Sequence, residues 1–291
     1  MAMDVALHPS LFTFRAALPA SRGFAPGPIA ATWTAIVLAG RRPGPCPLAS
    51  SFGVISKALI PVDGEAMLSR VTRSLLASGS VRRVIILAQE AEDLLQSPAM
   101  AWARYDGRVE PRRSADGISR SIDAVLAHPD TGWPVLVTTA DHALLTPEVV
   151  RAFTDHAENC DLAVGLVDRE TLLAAYPDNR RTWLRFKGGA YTGANLFALH
   201  SPATRGVLKI WASVEQDRKK LWRIARRFGP WLLLRTLLRR MSIQQAVAEV
   251  GWRMGVLARP VLLPFAEAGI DVDKAGDYQL AEAILRRRAT A

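Results

Sequence analysis

The chain has 291 residues, 49% hydrophobic and 22% charged, a composition that suits one large globular domain and excludes a fibrous or wholly disordered protein. Its two cysteines, Cys46 and Cys160, supply neither a disulfide framework nor metal-ligand spacing, which fits a reducing compartment. The formal charge is +10, but residues 219–240 (KKLWRIARRFGPWLLLRTLLRR) hold eight Lys/Arg and no acid, so the excess is local and a nucleic-acid partner is not expected.

Residues 1–31 are rich in Ala, Pro and Gly and weakly periodic, and read as a loosely ordered arm. The N-terminus, MAMDVALHPSLF, carries Asp4 and no early Lys or Arg, a poor signal peptide. No apolar window is long enough to span a bilayer, so the expected location is the cytoplasm. Residues 34–38 (TAIVL) form a short apolar run that suits a buried parallel strand. A helical pattern follows at 67–76, a second buried strand at 83–88 (RVIILA) and another helix at 119–126. A third strand is predicted at 134–138 (PVLVT), a helix at 147–157 with Pro147 in its first turn, and a fourth strand at 162–167 (LAVGLV). This alternation predicts an α/β fold, a mostly parallel sheet covered on both faces. Beyond residue 170 the pattern changes. Strands are expected at 182–187 and 192–199 around KGGAYTGAN, then a helical insertion at about 203–255 and a last helix at 278–288.

Ligands of open α/β sheets bind beyond the carboxyl ends of the strands. The stretch 36–62, IVLAGRRPGPCPLASSFGVISKALIPV, places such a loop after the first strand. Gly40 and Gly44 permit close backbone approach, and Arg41, Arg42 and Lys57 could hold a polyphosphate. The bland alternative is a surface turn with two solvated arginines. Neither the dinucleotide nor the Walker fingerprint is present. Asp141 ends the third strand in VLVTTADHALLT, where it would project into the crevice or cap the next helix. Gly117 and Ser121 in SADGISRSI (114–122) fit either a base-reading loop or a helix N-terminus capped by Asp116 or Ser119.

LAG, the Arg/Pro/Gly-rich loop and KALIPVDGEAML together resemble the signature of molybdenum-cofactor guanylyltransferase-like and sugar-phosphate nucleotidyltransferases, and later landmarks recur in order. The resemblance implies a three-layer, Rossmann-like (GT-A-like) nucleotidyltransferase domain over residues 32–291. It implies NMP transfer from an NTP, with CTP and GTP favoured, to a phosphorylated sugar, polyol or alcohol, with release of pyrophosphate. It places the nucleotide on Leu38, Ala39, Gly40, Gly44, Ser114, Gly117 and Ser121, and the triphosphate on Lys57, Arg41 and Arg42. Arg41 stands where the family has a second glycine. The resemblance further implies Mg²⁺ on Asp141 and, from GIDVDKAGDYQLAEAIL, on Asp273, with Asp271 as second choice. Asp277 matches a helix-capping acid, and His142 a structural neighbour. YTGANLFAL resembles the strand lining the acceptor pocket, with Gly193 and Asn195 as contacts and Lys187 nearby; a bulged strand with a solvated lysine is the plain alternative. The step of 17 positions from Gly40 to Lys57 resembles the sugar-phosphate members more than the short-loop guanylyltransferases. A pterin acceptor is the alternative within this chemistry.

The basic segment has an apolar helical stripe interrupted by Gly229-Pro230, and bears Trp222 and Trp231. It reads either as an amphipathic helix on an anionic membrane surface, which would place the protein at the inner face of the membrane, or as a core-packing helical pair. A non-catalytic membrane or protein-interaction module built on this segment is the reading from another class.

Overall fold

A computed structural model describes residues 32–41, 44, 46–215, 235 and 238–290. The N-terminal arm at 1–31, Arg42 and most of the basic segment (219–234, 236 and 237) lie outside the described residues.

An eight-stranded sheet organises the chain. Its strands are β1 (Trp33–Leu38), β4 (Val81–Ala88), β5 (Val109–Arg113), β6 (Val135–Thr139), β7 (Leu162–Asp168), β8 (Leu184–Phe186), β9 (Gly189–Leu199) and β10 (Ala258–Leu262). The order is β10-β7-β9-β6-β1-β4-β5, with β8 paired on β9. All pairings are parallel except those of β9, which runs antiparallel to β6, β7 and β8. A separate two-stranded ribbon joins β2 (Pro61–Val62) to β3 (Glu65–Ala66).

The described residues form nine α-helices: α1 (Pro47–Ser51), α2 (Met67–Ala77), α3 (Ala91–Gln96), α4 (Ile118–Ala127), α5 (Pro147–His156), α6 (Arg169–Ala175), α7 (Thr204–Glu215), α8 (Ile243–Arg253) and α9 (Ala275–Thr290). The period-two alternation of β1 divides them into two layers. Ala35 and Val37 point to one face, where α2, α3, α5, α6 and α9 bury Leu75, Leu94, Phe153, Leu172 and Ile284. Ile36 points to the other, against Ile122 and Val125 of α4, with Leu208 of α7 at the margin. Further along that face Ile243 and Val247 of α8 cover Leu166 and Tyr191. Both faces of the central strands are therefore dry over most of their length, which is why β1, β4 and β6 carry the apolar runs AIVL, VIILA and VLV.

The predicted strands and helices through residue 199 are present, shifted by a few residues at their ends. β5 was not expected: VEPRR has little apolar content. It is an edge strand, where a proline such as Pro111 is tolerated. The strand expected at 182–187 shrinks to β8. Among the described residues the insertion supplies α7, α8 and the approach to β10, and no helix is long and apolar enough to cross a membrane.

Candidate active site

The carboxyl ends of β1, β4, β6 and β7 share one edge, and β9 enters from that edge because it runs antiparallel to β6 and β7. Lys57 reaches this crevice from a single 3-10 turn, Lys57–Leu59, whose preceding Ser56 hydroxyl accepts from the Ala58 amide at 3.3 Å. Ala58 and Leu59 are buried, which anchors the turn. The Lys57 Nζ donates to Asp141 Oδ2 at 2.7 Å and to Asp273 Oδ1 at 2.5 Å. Asp141 lies two residues past β6, and the Thr139 hydroxyl orients it by donating to Oδ1 at 2.5 Å. Its carbonyl accepts from the Val272 amide at 3.0 Å, stitching the loop after β6 to the segment that carries Asp273. Burial works against the charge on Lys57, but Asp141 and Asp273 outweigh it and hold the ammonium pKa above its ordinary value.

Asp271 is engaged elsewhere. One carboxylate oxygen takes a short hydrogen bond from Arg181, and the other accepts from Asn195 Nδ2 at 3.3 Å. Arg181 also donates to the Asp271 carbonyl at 3.0 Å and stands 3.9 Å from Asp277. Both oxygens of the second-choice metal ligand are thus committed to protein donors. Asp271 pins the acidic loop and leaves Asp273 to face Lys57. Burial pushes the Arg181 guanidinium down from its usual value, against the pull of Asp277, Asp273 and Asp141. Asp277 Oδ2 accepts from the amides of Asp273 and Lys274 at 3.2 Å each, the helix-capping role expected of it. Asn195 sits in the left-handed region (φ 49) near the bulge where β9 shifts register against β7. Its side chain meets a carboxylate rather than backbone groups.

The loop after β1 starts in the ladder: Ala39 donates to the Leu87 carbonyl and Leu38 accepts from Ala140, each at 3.0 Å. Gln89 then clamps Arg41 by two backbone bonds, at 3.0 and 2.9 Å. A Cβ on Gly40 would lie 3.2 Å from the Gln89 amide oxygen, so glycine suits that close approach. The Arg41 guanidinium pairs with Glu90 at 2.8 Å, both side chains about half exposed. Gly44 has φ 99 and open space around it. In the loop after β5, Gly117 (φ 89) precedes α4. The Ser121 hydroxyl donates locally, to the carbonyls of Ala115 and Gly117 at 2.9 and 2.6 Å, so only its acceptor capacity faces outward. The Ser114 hydroxyl is buried without a partner among the described residues. Gly193 faces open space on β9. Lys187 is exposed in the turn between β8 and β9; its amide donates to the Met241 carbonyl at 2.8 Å, and no bond or ion pair among the described residues ties it to the Lys57 cluster.

The structure therefore joins Lys57, Asp141 and Asp273 directly and sets Asp271 and Asn195 immediately behind them. Sequence reasoning missed Arg181, Thr139 and Gln89. Of these only Arg181 had a visible signal, the need of the acidic run GIDVD for a countercharge. Among the described residues no three His, Cys, Asp or Glu side chains converge as a ready-made metal cage. Two carboxylates directed at one cationic atom nevertheless match the donor set of Mg²⁺, which takes one or two carboxylates and completes its shell with water and phosphate. His142 is 1% exposed; burial pushes its pKa down to about 4, against the pull of Asp141 and the Ala268 backbone, so it is neutral, which fits the structural reading.

Residues 35–248 match the family described as MobA-like NTP transferase domain. The chain belongs to this family. A hypothetical transferase from Thermus thermophilus has a similar structure, with a TM-score of 0.71 and 32% identity over 85% of this chain and 99% of that one. A 4-diphosphocytidyl-2C-methyl-D-erythritol synthase from Anaerococcus prevotii shares the fold at a TM-score of 0.55 and 11% identity, over 89% of this chain and all of its own. In sequence, the 2-C-methyl-D-erythritol 4-phosphate cytidylyltransferase of Saccharopolyspora erythraea is 37% identical over 103 residues, which span 33% of this chain and only 44% of that enzyme. The fold is the α/β nucleotidyltransferase fold.

Proposed function

We propose that the protein transfers a nucleoside monophosphate from an NTP, CTP first, to a phosphomonoester acceptor and releases pyrophosphate. An acceptor phosphate oxygen attacks the α-phosphorus in line, and the bond from that phosphorus to the bridging oxygen of the β-phosphate breaks. The carrying observation is the convergence of Lys57 on Asp141 and Asp273 at the sheet edge. Lys57 supplies a fixed positive charge for the triphosphate. The backbone of Gly40 and Arg41, held by Gln89, shapes the loop over it. Asn195 and Arg181 hold the acidic loop, so Asp273 stays aligned without rearrangement at the moment of reaction. Asp141 and Asp273 would hold Mg²⁺, which, when bound, neutralises charge on the phosphates. No acid–base pair is required, because phosphate is already a nucleophile and pyrophosphate a good leaving group. CTP is put first because the curated relative is a cytidylyltransferase and a further solved structure of this fold, a CMP:2-keto-3-deoxy-manno-octonic acid synthetase, is described in complex with CTP.

The test is a thermal-shift panel of CTP, GTP, UTP, ATP and dTTP with and without Mg²⁺, since a ligand specific to the native state raises apparent stability by mass action. CTP with Mg²⁺ should give the largest shift, and Asp141→Asn should abolish its Mg²⁺ dependence while leaving the unliganded melting temperature within a few degrees. A shift confined to GTP would replace the base and favour a pterin-type acceptor. No shift with any nucleotide would sink the catalytic reading.

A further inference from the structure

A second basic feature lies away from the Lys57 cluster. A depression of about 290 Å³ is lined by Arg169, Arg185, Phe186, Gly189, Ala190 and Arg239. The three arginines come from separate parts of the chain: the first residue of α6, the strand β8, and the stretch before α8. All three are exposed, and none forms an ion pair with a carboxylate among the described residues. Arg169 stands 6.0 Å over the Trp183 ring. Asp168 caps α6 through Oδ1, which accepts from the Glu170 amide at 2.7 Å, while its Oδ2 borders Gly189, 3.3 Å from where a Cβ on that glycine would lie, so one carboxylate stands against three guanidinium groups. Arg41, Arg181 and Arg205, by contrast, are each paired with an acid: Glu90, Asp271 and Asp123. Three guanidinium groups around one concavity repel one another unless an anion joins them. Their planar forks suit phosphate oxygens.

The position ties this depression to the crevice. Ala190 and Gly189 begin β9, and Asn195, which holds Asp271, lies five residues beyond Ala190 on the same strand. At about 3.3 Å per residue that is roughly 17 Å of strand. The Lys187 amide bonds the Met241 carbonyl, fastening the hairpin of Arg185 to the stretch that carries Arg239, so the arginines share a fixed frame.

We propose that Arg169, Arg185 and Arg239 form a second phosphate subsite, distinct from the Lys57 cluster, which takes a phosphate carried by the acceptor remote from its reacting phosphate. The assignment to the acceptor rests on the nucleotidyl-transfer reading. It makes the acceptor an extended, doubly anionic molecule. The remote phosphate is either part of a soluble bisphosphate or the phosphodiester of a lipid headgroup.

The experiment titrates inorganic phosphate into the full chain, its Arg185→Gln/Arg239→Gln variant and its Lys57→Gln variant, by calorimetry at low ionic strength. Phosphate should bind the parent and Lys57→Gln alike, and the double variant at least about tenfold more weakly, the loss expected for charge-assisted hydrogen bonds. The double variant should melt no lower than the parent, because the substitutions remove repulsion and break no ion pair. Phosphate binding that is unchanged in the double variant, or absent from the parent, overturns the subsite. Flotation with phosphatidylglycerol–phosphatidylcholine vesicles separates the sources. Binding lost in the double variant supports a lipid headgroup, and phosphate binding without vesicle binding supports a soluble bisphosphate. If the arginine substitutions leave phosphate binding intact while the CTP shift persists, the subsite fails and the transfer reading stands. If no nucleotide shifts the protein while phosphate still needs the arginines, the transfer reading fails and, with it, the assignment of this phosphate to an acceptor.

Discussion

Replacing Arg181 with methionine should loosen the acidic loop while leaving the sheet intact. The Arg181 and Asp271 side chains are 13% and 21% exposed, so the pair is largely but not wholly removed from water. Taking away one partner of a fully buried pair costs roughly 3–5 kcal/mol, because the other charge is left uncompensated. The residual exposure of Asp271, and the hydrogen bond it keeps from Asn195, reduce the expected cost to about 2 kcal/mol. Urea unfolding of the parent, Arg181→Met, Asp271→Asn and the double variant measures this directly. Asparagine at 271 removes the stranded charge, so the double variant should be more stable than the sum of the singles, with a coupling of about 1–2 kcal/mol. The Mg²⁺-dependent nucleotide shift should fall in Arg181→Met, since Asp273 is aligned through the same loop. Strictly additive singles, or a cost below about 0.5 kcal/mol, would show that Arg181 is only a solvated surface charge and refute the positioning role.

His142 gives a pH prediction. Its folded pKa, about 4, lies below the unfolded value near 6.5, so the unfolded chain takes up a proton that the folded one refuses between those pH values. Its contribution is complete above pH 6.5 and is lost as pH falls towards 4, by about 2 kcal/mol between pH 7 and pH 5. The difference in unfolding free energy between the parent and His142→Leu should therefore change across that interval; a constant difference would argue against a buried neutral imidazole. Gly117→Ala should cost about 1–2 kcal/mol, because φ 89 is a conformation alanine adopts only with strain. An unchanged melting temperature would count against that backbone geometry.

The strands that build the crevice were legible because each is buried on both faces and so carries a continuous apolar run, as in TAIVL and RVIILA. β5 was not, since an edge strand needs apolar residues on little of its surface, and VEPRR supplies few. The Lys57 cluster was legible for a different reason. Lys57, Asp141 and Asp273 each follow a recognisable local pattern, so each could be found separately although they lie 84 and 216 positions apart. What local pattern could not supply was the pairing. That Lys57 bridges the two acids, and that Asp271 is taken by Arg181 across 90 positions, follows from loops meeting over the sheet edge. GIDVD offers two acids of the same type two residues apart, on a segment whose side chains alternate. Only the position of Arg181 and Asn195 on one side and Lys57 on the other decides which acid is structural and which faces the crevice. The Ser121 hydroxyl illustrates the converse. A serine in the first turn after a glycine loop resembles a base-reading group, yet its hydroxyl proton goes to the nearby carbonyls of Ala115 and Gly117, a local bond that the sequence pattern does not show.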